Sequence, residues 1–261
     1  MERALWAAAS GMRAQQVNMD VVSNNLANVN TSGFKRSRAE FQDLLYQSVN
    51  APGTASSVST NLPSGIQVGL GTRTVAIKRL FEQGDFRPTE NPLDLVIEGW
   101  GFFKVIKPDG TTAYTRDGSF QIDQNGAIVN SLGYPLEPAL TIPQDAVSIT
   151  VGRDGTVSVD QVDGTVTQLG SIELANFVNP AGLRSLGGNL FIATESSGDA
   201  LLETPGANGV GEIGQGFLET SNVSIVNELV NMITAQRAYE LNSRAIRSSD
   251  EMLRQLAQLV R

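Results

Sequence analysis

Six residues, Gly209-Val210-Gly211-Glu212-Ile213-Gly214, carry the glycine spacing with which a backbone cradles a dinucleotide pyrophosphate. That chemistry needs a buried strand before the glycines and a helix N-terminus directly after them. Here no apolar strand precedes the glycines, helical periodicity resumes only at Ile225, and no βαβ unit surrounds them. A glycine-rich return strand is the expectation. Asp123-Gln124-Asn125-Gly126 begins like a calcium loop, but Ile128 and Val129 follow and no glutamate closes it, so a hairpin turn is expected. The chain has no histidine and no cysteine. It therefore lacks an imidazole base, any Ser-His or Cys-His dyad, and the commonest transition-metal ligand. Its 27 carboxylates would supply acid pairs anywhere, so their presence singles out none. The residues thus predict no catalytic group, no metal ligand and no cofactor, and a chain that is not an enzyme. Lys35, Arg36 and Arg38 are too few for a nucleic-acid surface and read as a solvated loop end.

The strongest patterns lie at the two ends. Leu5, Met12, Met19 and Leu26 fall seven apart, with Ala8, Gln15, Val22 and Val29 three further on each time. Ile225, Leu229, Met232, Gln236, Tyr239, Ser243, Ile246, Asp250 and Leu253 alternate four and three apart. Both rows draw apolar stripes at the coiled-coil period. Gln15, Gln236, Ser243 and Asp250 interrupt them, and a half-dry polar group costs about 1–3 kcal/mol unless paired. Val226, Val230, Ile233 and Leu241 lie off the seam, so the last helix is apolar on more than one side. Either the two helices form an αα-hairpin on their own domain, or neighbouring copies bury the remaining faces. The predicted helices run from Arg3 to Asn28, with Gly33 as the stop, and from Ile225 to Val260, with Ser224 as N-cap. Glu228 suits the first turn, and Glu240/Arg244 and Asp250/Arg254 are spaced for exposed ion pairs.

The net charge of −8 is uneven: residues 1–42 hold five basic and three acidic side chains, and residues 219–261 five of each. Near-neutral ends suit packing against copies, while the acidic middle stays solvated. No cleaved signal peptide is visible, because the run from Leu5 to Ala9 is short and Glu2 spoils a basic start. No segment approaches a transmembrane span, so no membrane insertion is expected.

Between the ends the chain reads as β. Short apolar runs such as Leu95-Val96-Ile97, Phe102 to Ile106 and Val147 to Val151 are punctuated by Asp109-Gly110, Asp117-Gly118, Asn125-Gly126, Asp154-Gly155 and Asp163-Gly164. These dipeptides favour tight hairpin turns and argue against a parallel sheet. Gln47 to Gly65 is rich in Ser, Thr, Asn, Gly and Pro and reads as a long loop or extended arm. The expected fold class is α+β: a terminal helical coiled-coil domain (1–30 and 225–261), a connecting segment (31–72 and 210–224) with the arm at about 46–65, and an antiparallel β-domain (73–209).

Ser23 to Arg36 (SNNLANVNTSGFKR) and Leu218 to Ile246 (LETSNVSIVNELVNMITAQRAYELNSRAI) resemble the N- and C-terminal signatures of the flagellar rod, hook and hook-associated axial proteins. GWGFFKV (99–105), YTRDGSF (114–120) and VGRDGTV (151–157) are similar to the β-domain of the same family. The resemblance implies a helical homopolymer with the terminal helices inside and the acidic β-domain outside. It implies subunit packing through Leu5, Met12, Met19, Val22, Leu26, Ile225, Leu229, Met232, Tyr239, Ile246 and Leu253. The arm, with Asn50, Pro52, Gly53, Asn61, Leu62, Pro63 and Gly65, resembles a segment of the distal rod and would straighten the shaft. Implied partners are copies of itself, the adjacent proximal rod and hook proteins, the P-ring and L-ring proteins, and the type III export apparatus. The implied location is the basal body, from periplasm to outer membrane. A proximal rod or hook subunit is the alternative within the family, and a β-rich surface adhesin the alternative outside it.

Overall fold

The computed structural model describes residues 2–50, 55–57, 60–61 and 65–259; Pro52, Gly53, Leu62 and Pro63 of the arm lie outside the described residues. The chain divides into two compact units, one of residues 1–27, 37–79 and 224–261, the other of 28–36 and 80–223. The connecting segment expected at 31–72 is thus divided between the units.

The first unit is built on α1 (Glu2–Ala27) and α2 (Ile225–Leu259), which pack antiparallel. Both expected helices form, and α1 ends before Asn28. The side chains they bury are mostly small or polar: Ala8, Ala14, Val21, Val22 and Asn25 on α1, and Glu228, Ala235 and Ser249 on α2. The backbones come close, since a Cβ on Gly11 would sit 2.9 Å from the Asn242 amide nitrogen. Glu228, Ala235, Asn242 and Ser249 fall seven apart, so the heptad is real. The buried row is nevertheless one residue earlier than Leu229, Gln236, Ser243 and Asp250. Of that later row, Gln236 and Asp250 are exposed, and Asp250 pairs with Arg254 at 2.8 Å. Small residues win the seam because only they allow two helix backbones this near. Asn25 ties the helix pair to the next strand: its Nδ2 donates to the Ser37 carbonyl (2.8 Å) and to Glu228 Oε2 (3.4 Å), while its Oδ1 accepts from the Ser37 N–H (2.9 Å).

Strands Ser37–Asp43 and Thr72–Arg79 form an antiparallel hairpin against α1, bulged at Glu40/Phe41. Where it is described its continuation is strand, which fits the extended-arm alternative rather than the loop. Tyr46–Asn50 pairs with Ile66–Gly69, and further out Ala55–Ser57 pairs with Thr60–Asn61. Tyr46, Val49, Ile66 and Val68 supply β-forming residues at the base of the arm, a signal diluted by the Ser, Gly and Pro around them.

The second unit is antiparallel throughout its described pairings. Its largest sheet has the order Arg184–Gly187, Leu190–Ile192, Thr112–Thr115, Phe102–Ile106, Leu174–Asn176, Leu201–Glu203, with Leu136–Glu137 also on Phe102–Ile106. Ala146–Val151, Thr156–Gln161 and Val166–Ser171 form a three-stranded meander. The core gathers Leu95, Ile97, Phe103, Val105, Phe120, Leu136, Val157, Ile172, Leu174 and Ile213, with Phe103 and Phe120 edge to face at 5.2 Å. Four of the five expected turns close hairpins, with Gly110, Gly126, Gly155 and Gly164 at φ between 78° and 81°. In three of them one geometry recurs: Asp109, Asp154 and Asp163 each accept from the N–H and hydroxyl of the threonine two residues on. These bonds hold the Asp154 and Asp163 carboxyls below the usual range; for Asp109 the bond from Lys107 contributes most. Asp117-Gly118 differs. It is no hairpin turn, and a Cβ on Gly118 would strike the Leu95 carbonyl, to whose residue it is hydrogen-bonded. The fingerprint-like glycines lead into a strand, Glu212–Gln215, paired with Leu95–Glu98.

The helix seam gives a contrast that mutation reads directly. Ala235→Leu should overpack the buried row and cost about 1–3 kcal/mol, lowering the thermal midpoint of the helical circular-dichroism signal. Leu229→Ala, on the exposed row, should stay within about 0.5 kcal/mol of the parent.

Candidate functional site

Within the second unit, three stretches distant in sequence meet at one buried ionic cluster. Gly33 makes the approach possible. It has φ +66°, and a Cβ there would lie 2.7 Å from the Asp117 backbone nitrogen. Its role is this close approach, and not the helix stop expected from sequence, since α1 ends at Ala27. The Gly33 N–H donates to the Glu219 carbonyl at 2.8 Å, which sets the two connectors side by side. Lys35 then points inward, with its side chain fully buried. Its Nζ donates to Glu219 Oε1 (2.6 Å) and to the Glu82 carbonyl (2.7 Å). Arg116 faces the other carboxylate oxygen, with Nε 3.1 Å from Glu219 Oε2. Its terminal nitrogens donate to the carbonyls of Gly99 and Gly101, each at 2.8 Å. The Gly84 N–H completes the shell on Glu219 Oε1 at 2.9 Å.

Asn222 locks the same connectors by neutral bonds. Its Oδ1 accepts from the Arg36 N–H, and its Nδ2 donates to the carbonyls of Leu80 and Glu82. The reading of Lys35 as a solvated loop residue is therefore wrong. Arg36 does stay near the surface and pairs with the Glu82 side chain at 3.3 Å. Burial, then the facing Arg116 guanidinium, pull the Lys35 ammonium down from 10.5 to about 8, with Glu219 opposing. Burial likewise lowers Arg116, again opposed by Glu219. The one sequence signal for this cluster was that Lys35, Arg116 and Glu219 each lie within a stretch that carries the family resemblance (23–36, 114–120 and 218–246). The pairing among them was not visible.

The expected packing residues lie in the first unit. Val22 is buried, and Leu5, Met12, Met19, Leu26, Met232 and Ile246 are half-buried. Ile225, Leu229, Tyr239 and Leu253 are exposed in the single chain, as are Val226, Val230, Ile233 and Leu241. An open groove of about 590 Å³ runs beside α1, lined by Trp6, Arg13, Val17, Thr72 and Arg73. Of the arm residues, Asn50 and Asn61 lie in paired strands and Gly65 just precedes Ile66. Among the described residues no group of His, Cys, Asp and Glu could hold a metal ion, and no helix is long and apolar enough to cross a membrane.

The charge balance of the cluster makes its variants asymmetric. Glu219→Gln leaves two cations without their carboxylate and should cost about 3–5 kcal/mol. Lys35→Met leaves a matched Arg116–Glu219 pair and should cost no more than about 1–2 kcal/mol; denaturant unfolding measures both. Folded Lys35 releases its proton near pH 8 and the unfolded residue near 10.5. Between those values the unfolded chain holds more protons, so stability should rise with pH across that window. Lys35→Met should remove that slope.

Three family models match the chain: "Flagella basal body rod protein" over residues 5–35, "Flagellar hook protein FlgE/F/G D1 domain" over 96–159, and "Flagellar basal body rod FlgEFG protein C-terminal" over 215–259. Between them they contain Lys35, Arg116 and Glu219. The chain is 52% identical over 256 residues to the flagellar basal-body rod protein FlgG of Buchnera aphidicola subsp. Schizaphis graminum, covering 98% of each chain. It is 52% identical to that of Borreliella burgdorferi, covering 97% of each, and 39% identical to that of Bacillus subtilis over the whole of both. With such identity from end to end, the chain belongs to the FlgG family of flagellar basal-body rod proteins and is a structural subunit of the rod.

Proposed function

We propose that the chain is the subunit of the distal rod, polymerising with copies of itself into a straight, rigid tube that carries torque from motor to hook. The observation that carries this reading is the division of labour on α2. The seam with α1 is made by small and polar side chains, so Ile225, Leu229, Val230, Ile233 and Leu253 keep their apolar surface free. A single helix with apolar residues on several sides needs further partners. Copies of the chain can supply them, and the groove beside Trp6 and Val17 offers an apolar surface on the same unit. On this reading the proximal rod and hook proteins continue the shaft at its two ends. The P-ring and L-ring proteins surround it, and the type III export apparatus delivers it to the periplasm.

The arm supports stiffness in particular. A two-stranded hairpin is at best marginally stable alone, and ordering a chain costs about 1–2 kcal/mol per residue in backbone entropy. The paired strands at the base of the arm, Tyr46–Asn50 and Ile66–Gly69, expose Tyr46, Val49, Ile66 and Val68. Those side chains gain burial if the arm lies across a neighbouring subunit, which would resist the sliding that bends a tube.

Two experiments test the reading. Leu229→Asp and Leu253→Asp each place a charge where the polymer would bury it, and each should abolish rod assembly and motility while the monomer melts like the parent. Rods of normal length would sink the packing assignment. Deleting residues 47–65 should leave assembly intact but give curved shafts in electron micrographs; straight shafts would reduce the arm to a linker.

A further inference from the structure

The cluster of Lys35, Arg116 and Glu219 contains two cations and one anion, and its anion is the last of the three in the chain. Until residue 219 is in place, closing the second unit would bury Lys35 and Arg116 near each other with no carboxylate between them. Arg116 would keep the carbonyls of Gly99 and Gly101, and Lys35 only that of Glu82. The Glu82 carboxylate is no substitute, since it is solvent-facing and paired with Arg36. Burying an unpaired charge is among the largest single penalties a fold can meet.

Neutral contacts point to the same stretch of chain. Strand Glu212–Gln215 pairs with Leu95–Glu98 and brings the fully buried Ile213 into the core. The Glu219 carbonyl holds Gly33, Thr220 N–H donates to the Asp85 carbonyl, and Asn222 bridges Arg36, Leu80 and Glu82. Asp94, buried in the same unit, and the half-buried Asp117 lack this reach. Asp94 is bonded to Asn91, and Asp117 to Ser119, within a few residues of themselves.

We propose that Glu219 is a closing lock: it makes folding of the whole second unit conditional on docking of residues 212–222, so the sheet cannot settle ahead of the C-terminal connector. A chain that emerges N-terminus first therefore keeps its β-unit open until nearly all of that unit is available. The lock works by excess positive charge, and this distinguishes it from a merely stabilising ion pair. Removing the charges should uncouple the sheet from the connector even where stability is unchanged.

The test is pulse-labelled hydrogen exchange during refolding of the full-length chain. In the parent, amides of Phe102–Ile106 and Thr112–Thr115 should gain protection in the same kinetic phase as those of Glu212–Glu219. In Lys35→Met/Arg116→Met/Glu219→Leu, the sheet amides should become protected at least tenfold faster than the connector. Lys35→Met alone, which leaves a matched pair, should separate the two phases at least threefold and serves if the triple variant does not fold. Protection of the sheet before the connector in the parent would overturn the proposal. So would a single common phase in the charge-depleted variant that folds.

Discussion

Two buried cations held by one carboxylate set the constraint that the β-unit is built around. Lys35 and Arg116 lie on opposite oxygens of Glu219, and each would be costly to bury without it. The rest of the neighbourhood serves that geometry. Gly33 lets the N-terminal connector reach the 116–117 backbone, Gly99 and Gly101 turn their carbonyls onto Arg116, and Gly84 supplies an N–H to the carboxylate. Asn222 repeats the tie with neutral bonds. Side chains from the first, middle and last parts of the second unit thus share one site, and the unit is completed only by its last stretch.

The helical unit follows a different economy. Gly11 meets Asn242 and Asn25 meets Glu228 across its seam, with Ala235 and Ser249 buried on the same row of α2, so the backbones approach closely and little large apolar surface is consumed. In an ordinary αα-hairpin the leucines and isoleucines would fill the seam and leave a polar exterior. Here Ile225, Leu229, Ile233, Leu241 and Leu253 line the outside of α2. That inversion suits a subunit whose neighbours complete its core, because contacts within the chain and contacts between chains then draw on different residues. Family membership, carried by identity along the whole chain, gives this arrangement its setting in the flagellar rod.

The sequence by itself determined the local elements. Seven-residue spacing marked both helices to within a residue or two, and Asp-Gly and Asn-Gly turns marked the antiparallel hairpins, because periodicity and turn chemistry are properties of neighbouring residues. The absence of histidine and cysteine was equally legible, and so were the terminal signatures. What only the tertiary structure decided was which residues meet. Ala235 rather than Leu229 entered the seam because interhelix distance is a two-body property, fixed by the smallest residues present. The base of the arm is strand because Tyr46–Asn50 found a partner at Ile66–Gly69, a pairing that average composition conceals. Lys35, by local context a solvated loop residue, became fully buried because a carboxylate 184 residues away reached it. Whether a charge can be buried depends on its partner, and the partner is set by the path of the whole chain.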